Sequence, residues 1–203
     1  LVDINCGCPS EKLVGNEAGC YLMTHPEKIS QIIKMLKDSD LTVTAKIRLG
    51  FKKNNVLEVA KAVEKAGADA ITIHPRLAIQ GYNVPADHSW TKKVKKEVGI
   101  PVIANGDINS GESASKILDF ADGAMVGRAA IGDPFIFERV LHYLKTGKEK
   151  EFDYKKNISA FKEYLNLTKK YKFIDLARIK YLGTKFIRNH DGASAMRNQL
   201  MQF

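Results

Sequence analysis

The residues best equipped for chemistry open the chain. In Asn5-Cys6-Gly7-Cys8-Pro9 the glycine lets the backbone turn and the proline prevents an extended segment from continuing, so Cys8 is presented at a strand end. A thiol there can act as a nucleophile or as a proton donor, with an acidity that responds to nearby cations such as Lys12 or Lys46. The alternative is a packing cysteine. Cys6, Cys8 and Cys20 cannot all pair, and Cys-x-Cys with one distant cysteine lacks a ligand set, so neither a disulfide framework nor a metal is expected. Lys46-Ile47-Arg48 places a lysine inside a strand, where burial demands an anion or an electron-rich ring unless the side chain snorkels to solvent. His74-Pro75-Arg76 adds a histidine that serves structure or catalysis equally well. Asn105-Gly106-Asp107 and Gly127-Arg128 combine close backbone approach, N–H donors and a guanidinium fork, which together suit a phosphate.

These residues need elements to hold them. Apolar runs begin near Val2, Thr42, Asp69, Pro101 and Gly123, and helical periodicity fills the intervals. Ile29, Ile32, Ile33 and Leu36 form one stripe behind Pro26; Val56, Val59, Ala60 and Val63 form another, with Asn55 and Glu58 as a capping box and Gly67 as the stop. Ser110 and Asp133-Pro134 read as two further helix starts, and Gly147 as an end. Alternating strands and helices imply a parallel sheet, open or closed. Strand parity puts Asp3 with Asn5, Thr44 with Lys46, and Thr72 with His74 on one face, while Asn105 ends the fourth strand. Successive strands finishing in polar side chains favour a (β/α)8 TIM-barrel type whose rim carries the site. The loops holding Asn105 and Arg128 then follow strands seven and eight, where barrels often bind phosphate.

The chain has 203 residues, 44% hydrophobic and 27% charged, with a net charge of +9, which excludes a disordered or fibrous class. Residues 148–203 hold 13 Lys/Arg against 6 Asp/Glu, and their pattern is helical only: Ile158, Phe161 and Leu165, then Leu176, Ile179, Leu182 and Phe186, then a segment from Ser194. Residues 1–147 are expected to form the barrel part, 148–154 a linker and 155–203 a small helical domain. So basic a segment suits a polyanion such as nucleic acid, or is simply a solvated lysine-rich surface. No run is long and apolar enough for a membrane span and no leader opens the chain, so a cytoplasmic protein is expected, with no stable protein partner implied. Leu1 to Ile4 already reads as strand, and the natural start is expected to lie upstream.

Taken together, Asp3-Ile4-Asn5-Cys6-Gly7-Cys8-Pro9, Lys12, Ala18-Gly19, Lys46-Ile47-Arg48, His74-Pro75-Arg76, Gln80-Gly81-Tyr82, Ile103 to Asp107, Gly127 to Ala130, and Gly192-Ala193-Ser194 with Arg197 resemble the tRNA-dihydrouridine synthases along nearly the whole chain. The resemblance implies an FMN-containing barrel that reduces a tRNA uridine, with NADPH as the usual reductant. It implies that Lys46 and His74 contact the flavin ring and that Asn105, Gly106, Asp107, Gly127 and Arg128 hold the ribityl chain and phosphate. It implies hydride from the reduced flavin to C6 of uracil and a proton from Cys8 to C5, with Asn5 orienting the base. Lys12, Arg48 and Arg76 become candidate substrate or tRNA contacts at the rim, and Arg178, Lys180 and Arg188 in the basic tail. The five units here correspond to the family's last five, three earlier ones being absent. Pro75 replaces the glycine usual after the family's histidine, and Asn83-Val84-Pro85 replaces a glycine-containing turn.

Two other readings compete. A dihydroorotate dehydrogenase-like FMN barrel acting on a free pyrimidine shares the strand-end lysine and the cysteine loop, but has no use for the basic tail. A non-catalytic RNA-binding fragment would need only the tail.

Overall fold

The computed structural model describes residues 1–188 and 190–202. Five strands, β1 (Val2–Cys6), β2 (Val43–Gly50), β3 (Ala70–Leu77), β4 (Val102–Asn105) and β5 (Gly123–Met125), each begin at or one residue after the expected position. All neighbours are parallel and the order is β1-β2-β3-β4-β5. A doubly wound sheet reverses its order at a switch point; this one never does, which is the connectivity of a (β/α)8 barrel. The expected fold class is borne out, including the helices-only C-terminal part.

Helices α1 (Glu11–Gly15), α2 (Pro26–Lys37), α3 (Val56–Lys65), α4 (His88–Glu97), α5 (Gly111–Leu118), α6 (Ile136–Thr146), α7 (Tyr154–Lys170), α8 (Leu176–Phe186) and α9 (Ala193–Gln202) complete the described elements with two short 3-10 turns. Among the described residues, no helix is long and apolar enough to cross a membrane. Two compact units emerge. The first comprises residues 1–108 and 116–125, the second 109–115 and 126–203. The expected 148–154 linker lies inside the second unit, between α6 and α7.

In the first unit the core forms where strand and helix periodicities meet. Ile4, Cys6, Ala45, Ile47, Ile71, Ile73 and Val102 pack against Ile29 and Ile33 of α2 and against Val56, Val59, Ala60 and Val63 of α3, all of them buried. The other strand parity is thereby committed to the opposite face. One expected detail fails. Asn55 does not cap α3: its Nδ2 donates to the Met23 carbonyl at 2.7 Å, and Asn54 Oδ1 takes the Val56 N–H at 3.1 Å instead. The Asn55 side chain is anchored through its amide donor and its Oδ1 takes no helix N–H, so no capping box forms.

In the second unit, Asp133 is also diverted. Its buried carboxylate pairs with Arg139 and, at 3.1 Å, with Arg188 Nη2, and α6 starts only at Ile136. Asn157, fully buried on α7, donates to the Gly132 carbonyl at 2.8 Å and the Phe186 carbonyl at 3.3 Å, while Phe161 and Phe186 rings stand 5.1 Å apart. These bonds join the turn before α6 to α7 and α8.

Replacing Ile73, which is 0% exposed, by alanine should cost about 2 to 5 kcal/mol, whereas alanine at Met35, 72% exposed on α2, should stay within about 0.5 kcal/mol. Urea titrations of the two variants check both figures.

Candidate active site

The polar parity of the strands converges on one face. Asn5 is in register with Lys46, Lys46 with Thr72, and Arg48 with His74. Asn5 does not point free: its Oδ1 accepts the N–H groups of Gly7 at 3.1 Å and Cys8 at 3.0 Å, a side-chain turn that fixes the loop carrying the thiol. The same loop is braced from outside. Cys20 N–H donates to the Cys8 carbonyl at 2.9 Å, and Gly19, at φ +62°, makes this approach possible because a Cβ there would stand 2.5 Å from that oxygen.

Arg48 completes the brace. It is 5% exposed, donating from Nε to the Gly7 carbonyl at 2.6 Å and from Nη1 to the Leu77 carbonyl at 3.1 Å. Two of its donors thus tie the cysteine loop to the end of β3. Cys8 itself is half-buried, whereas Cys6 and Cys20 are fully buried. Burial, reinforced by Asp3, pushes the Cys6 thiol up to about 12, and burial raises Cys20 as well. Of the three, Cys8 alone is open to a reactant.

Lys46 is partly buried and its Nζ has no hydrogen-bond or ion-pair partner among the described residues. Burial first, then the Arg48 cation, lowers its pKa against a smaller opposing pull from Asp3. Such a cation is an incomplete arrangement that an anionic or electron-rich ligand edge would complete. On the next strand, His74 is 6% exposed and held at about 3 by burial and by the cations Arg48, Lys46 and Arg76, so it is neutral at physiological pH. Tyr82 lies parallel to it, 6.4 Å between centroids.

Arg76 is likewise turned inward. At 1% exposure it donates to the Val84 carbonyl at 2.5 Å, to His74 Nε2 at 2.9 Å and to both Asp107 oxygens at 2.8 and 2.6 Å. The Asp107 carboxylate is thus engaged, also accepting the Ala86 N–H at 2.8 Å, and only its backbone is left to face an anion. Asn105 donates to the Met125 carbonyl at 2.8 Å. Gly106, at φ +116°, admits His74 beside it, since a Cβ would stand 2.9 Å from His74 Cδ2.

The remaining expected residues are dispersed. Lys12 is exposed on α1. In the second unit, Gly127 precedes the 3-10 turn Arg128–Ala130 and Arg128 is exposed. Arg178 lies exposed with its guanidinium 5.6 Å from the Phe173 ring and 3.9 Å from Asp175, and Lys180 is partly exposed on the same helix. Arg188 Nη2 binds Asp133 and the Ala129 carbonyl. His88 escaped notice: its Nε2 donates to the Gly106 carbonyl at 3.0 Å, steadying the loop after β4. A lone histidine at a helix start gives no sequence signal for that.

The model of the dihydrouridine synthase (Dus) family matches residues 1–203, and the chain belongs to that family. It is 42% identical over 153 residues to tRNA-dihydrouridine synthase B of Yersinia pestis, covering 73% of this chain and 48% of that protein. It is 38% identical over 210 residues to probable tRNA-dihydrouridine synthase 1 of Synechocystis sp., covering 99% of this chain and 59% of that protein. The chain thus spans about half the length of the curated relatives it matches. Among solved structures, N-acetylneuraminate lyase from Mycoplasma synoviae aligns with a TM-score of 0.46 and 23% identity, covering 62% of this chain and 44% of that one.

Burial and acidity together set an order of thiol reactivity. Alkylation with iodoacetamide at about pH 8 should modify Cys8 first, because Cys6 stays protonated below about 12 and Cys20 is shielded, and both should react only on unfolding. Peptide mass spectrometry reads the order; Cys6 modified at the rate of Cys8 would contradict it.

Proposed function

We propose that the chain forms the working rim of an FMN-dependent tRNA-dihydrouridine synthase, reducing a tRNA uridine to 5,6-dihydrouridine with NADPH as reductant. In this reading residues 1–147 are barrel, 148–154 a linker and 155–203 a helical tRNA-binding part. The observation that carries it is Lys46, an unpartnered, partly buried cation in register with the Asn5 that shapes the Cys8 loop. The donor set fits an electron-rich ring edge, and membership of the Dus family supports reading that ring as a flavin.

When bound and reduced, FMN would supply a hydride to C6 of uracil. Cys8 donates its proton to C5, so that one hydride and one proton saturate the double bond and the thiol leaves as thiolate. Asn5 holds the loop that aims the thiol, and Arg48 keeps that loop against β2. Lys46 and His74 bind the ring, and Asn105, Gly106 and the backbone of Asp107 hold the ribityl chain; Gly127 and Arg128 remain candidates for the phosphate by the family resemblance alone. The uracil must leave its stack to reach a strand-end rim, which favours weakly paired loops of the tRNA. Lys12 near the rim, and Arg178 and Lys180 with Lys169, Lys170 and Lys172, supply cations for the tRNA phosphates. A tRNA substrate with NADPH argues for the cytoplasm. The basic tail speaks for a macromolecular substrate over a free pyrimidine.

Cys8→Ala should retain flavin affinity while slowing oxidation of pre-reduced flavin by tRNA about 10² to 10⁴-fold. Single-turnover absorbance in the full-length protein measures this, and a near-normal rate would remove Cys8 from the proton step.

Replacing Arg178 and Lys180 by glutamine should weaken tRNA binding and lower the slope of log K against log[salt] by roughly 0.7 to 0.9 for each phosphate that is no longer neutralised. An unchanged slope would make this surface merely solvated. Filter binding across a salt series supplies the data.

A further inference from the structure

We infer that Arg76 is a positioning residue that fixes the tautomer of His74, making Nδ1 an obligate hydrogen-bond donor to the cofactor ring. The inference rests on the FMN reading above. A guanidinium carries only donors, so the 2.9 Å contact between Arg76 Nη1 and His74 Nε2 requires that Nε2 be bare and accept. The ring proton of a neutral His74 then sits on Nδ1. That atom has no partner among the described residues, and neither has Lys46 Nζ on the adjoining strand. Two unpartnered donors on neighbouring strands, one cationic and one neutral, call for a ligand edge with acceptors.

The arrangement resists alternatives. Arg76 cannot turn away, because its other donors are taken by the Val84 carbonyl and by both oxygens of Asp107. Asp107 is held in turn by the Ala86 N–H. The imidazole cannot swing, because Gly106 lies against its Cδ2 edge and is itself tied down by His88. Nor can it become protonated easily. Arg48 and Lys46 on β2 and Arg76 on β3 all oppose a positive charge there, Asp107 after β4 alone favours it, and Tyr82 offers a ring face. A neutral donor beside a lysine is thereby kept through the whole physiological pH range. Arg76 is 1% exposed and meets His74 directly, so its role runs through that imidazole.

The test is histidine-¹⁵N NMR of the full-length protein, freed of flavin, followed by titration with FMN. The wild type should show His74 in the Nδ1–H form alone between about pH 5 and pH 8. Arg76→Met combined with Asp107→Asn removes the pair without leaving a lone charge; it should mix the tautomers and weaken FMN binding roughly tenfold, the value of one hydrogen bond. Asp107→Asn alone keeps an acceptor for Arg76 and should leave the tautomer as it is. A wild-type His74 carrying its proton on Nε2, or a double variant with an unchanged spectrum, would overturn the inference even if FMN bound tightly. An Nδ1–H spectrum with no FMN binding would instead sink the flavin reading and, with it, the role toward the ring.

Discussion

A guanidinium taken out of water must find a partner for each donor, and Arg76 organises its surroundings by that requirement. At 1% exposure it collects a carbonyl from the 78–87 loop, a ring nitrogen from its own strand and a carboxylate from the turn after β4. Those are the segments that also carry His74 and Gly106. Removing one partner from a buried ion pair costs about 3 to 5 kcal/mol, and the figure here belongs towards the lower end because the Asp107 side chain is 40% exposed. The cost is concentrated where the strands end, so the rim is held more firmly than loops of this length usually are.

The same logic, one strand away, holds the thiol. Arg48 reaches across to the Gly7 and Leu77 carbonyls, so the loop after β1 and the end of β3 are tied through a residue of β2. Asn5 and Gly19 then shape the turn from either side. An acid that protonates carbon needs placement more than it needs an unusual acidity, since effective positioning converts an encounter into an intramolecular step. The two buried cysteines show the contrast, because residue type is shared and environment alone separates an inert thiol from an available one.

The fold was legible because the two periodicities were clean. Val56, Val59, Ala60 and Val63 announced a buried stripe and became one, and the strand parity of Thr72 and His74 against Ile71 and Ile73 foretold which face would hold polar groups. Local signals failed where partners outside the helix start claimed the side chain. Asn55 and Asp133 both looked like caps; both were drawn to distant partners, a carbonyl in one case and two arginines in the other. Hydrogen bonds of similar strength differ in free energy by less than the packing that chooses between them.

Arginine is the residue type whose partner the sequence discloses least, for a related reason. A fork of donors binds a phosphate, a carboxylate or a pair of carbonyls with comparable geometry, so sequence reveals the capacity and not the partner. Arg48, Arg76 and Arg188 each have partners inside the protein, whereas Arg178 lies exposed among lysines. Part of the charge of the C-terminal segment is neutralised internally, where Lys156 pairs with Glu138 and Arg188 with Asp133. What remains unpaired at the rim is a smaller and more specific set. Among the described residues Lys46 Nζ and His74 Nδ1 have no protein partner, because Arg48 and Arg76 take the carbonyl and carboxylate acceptors around them, and donors left unmet in this way suit a ligand that carries acceptors.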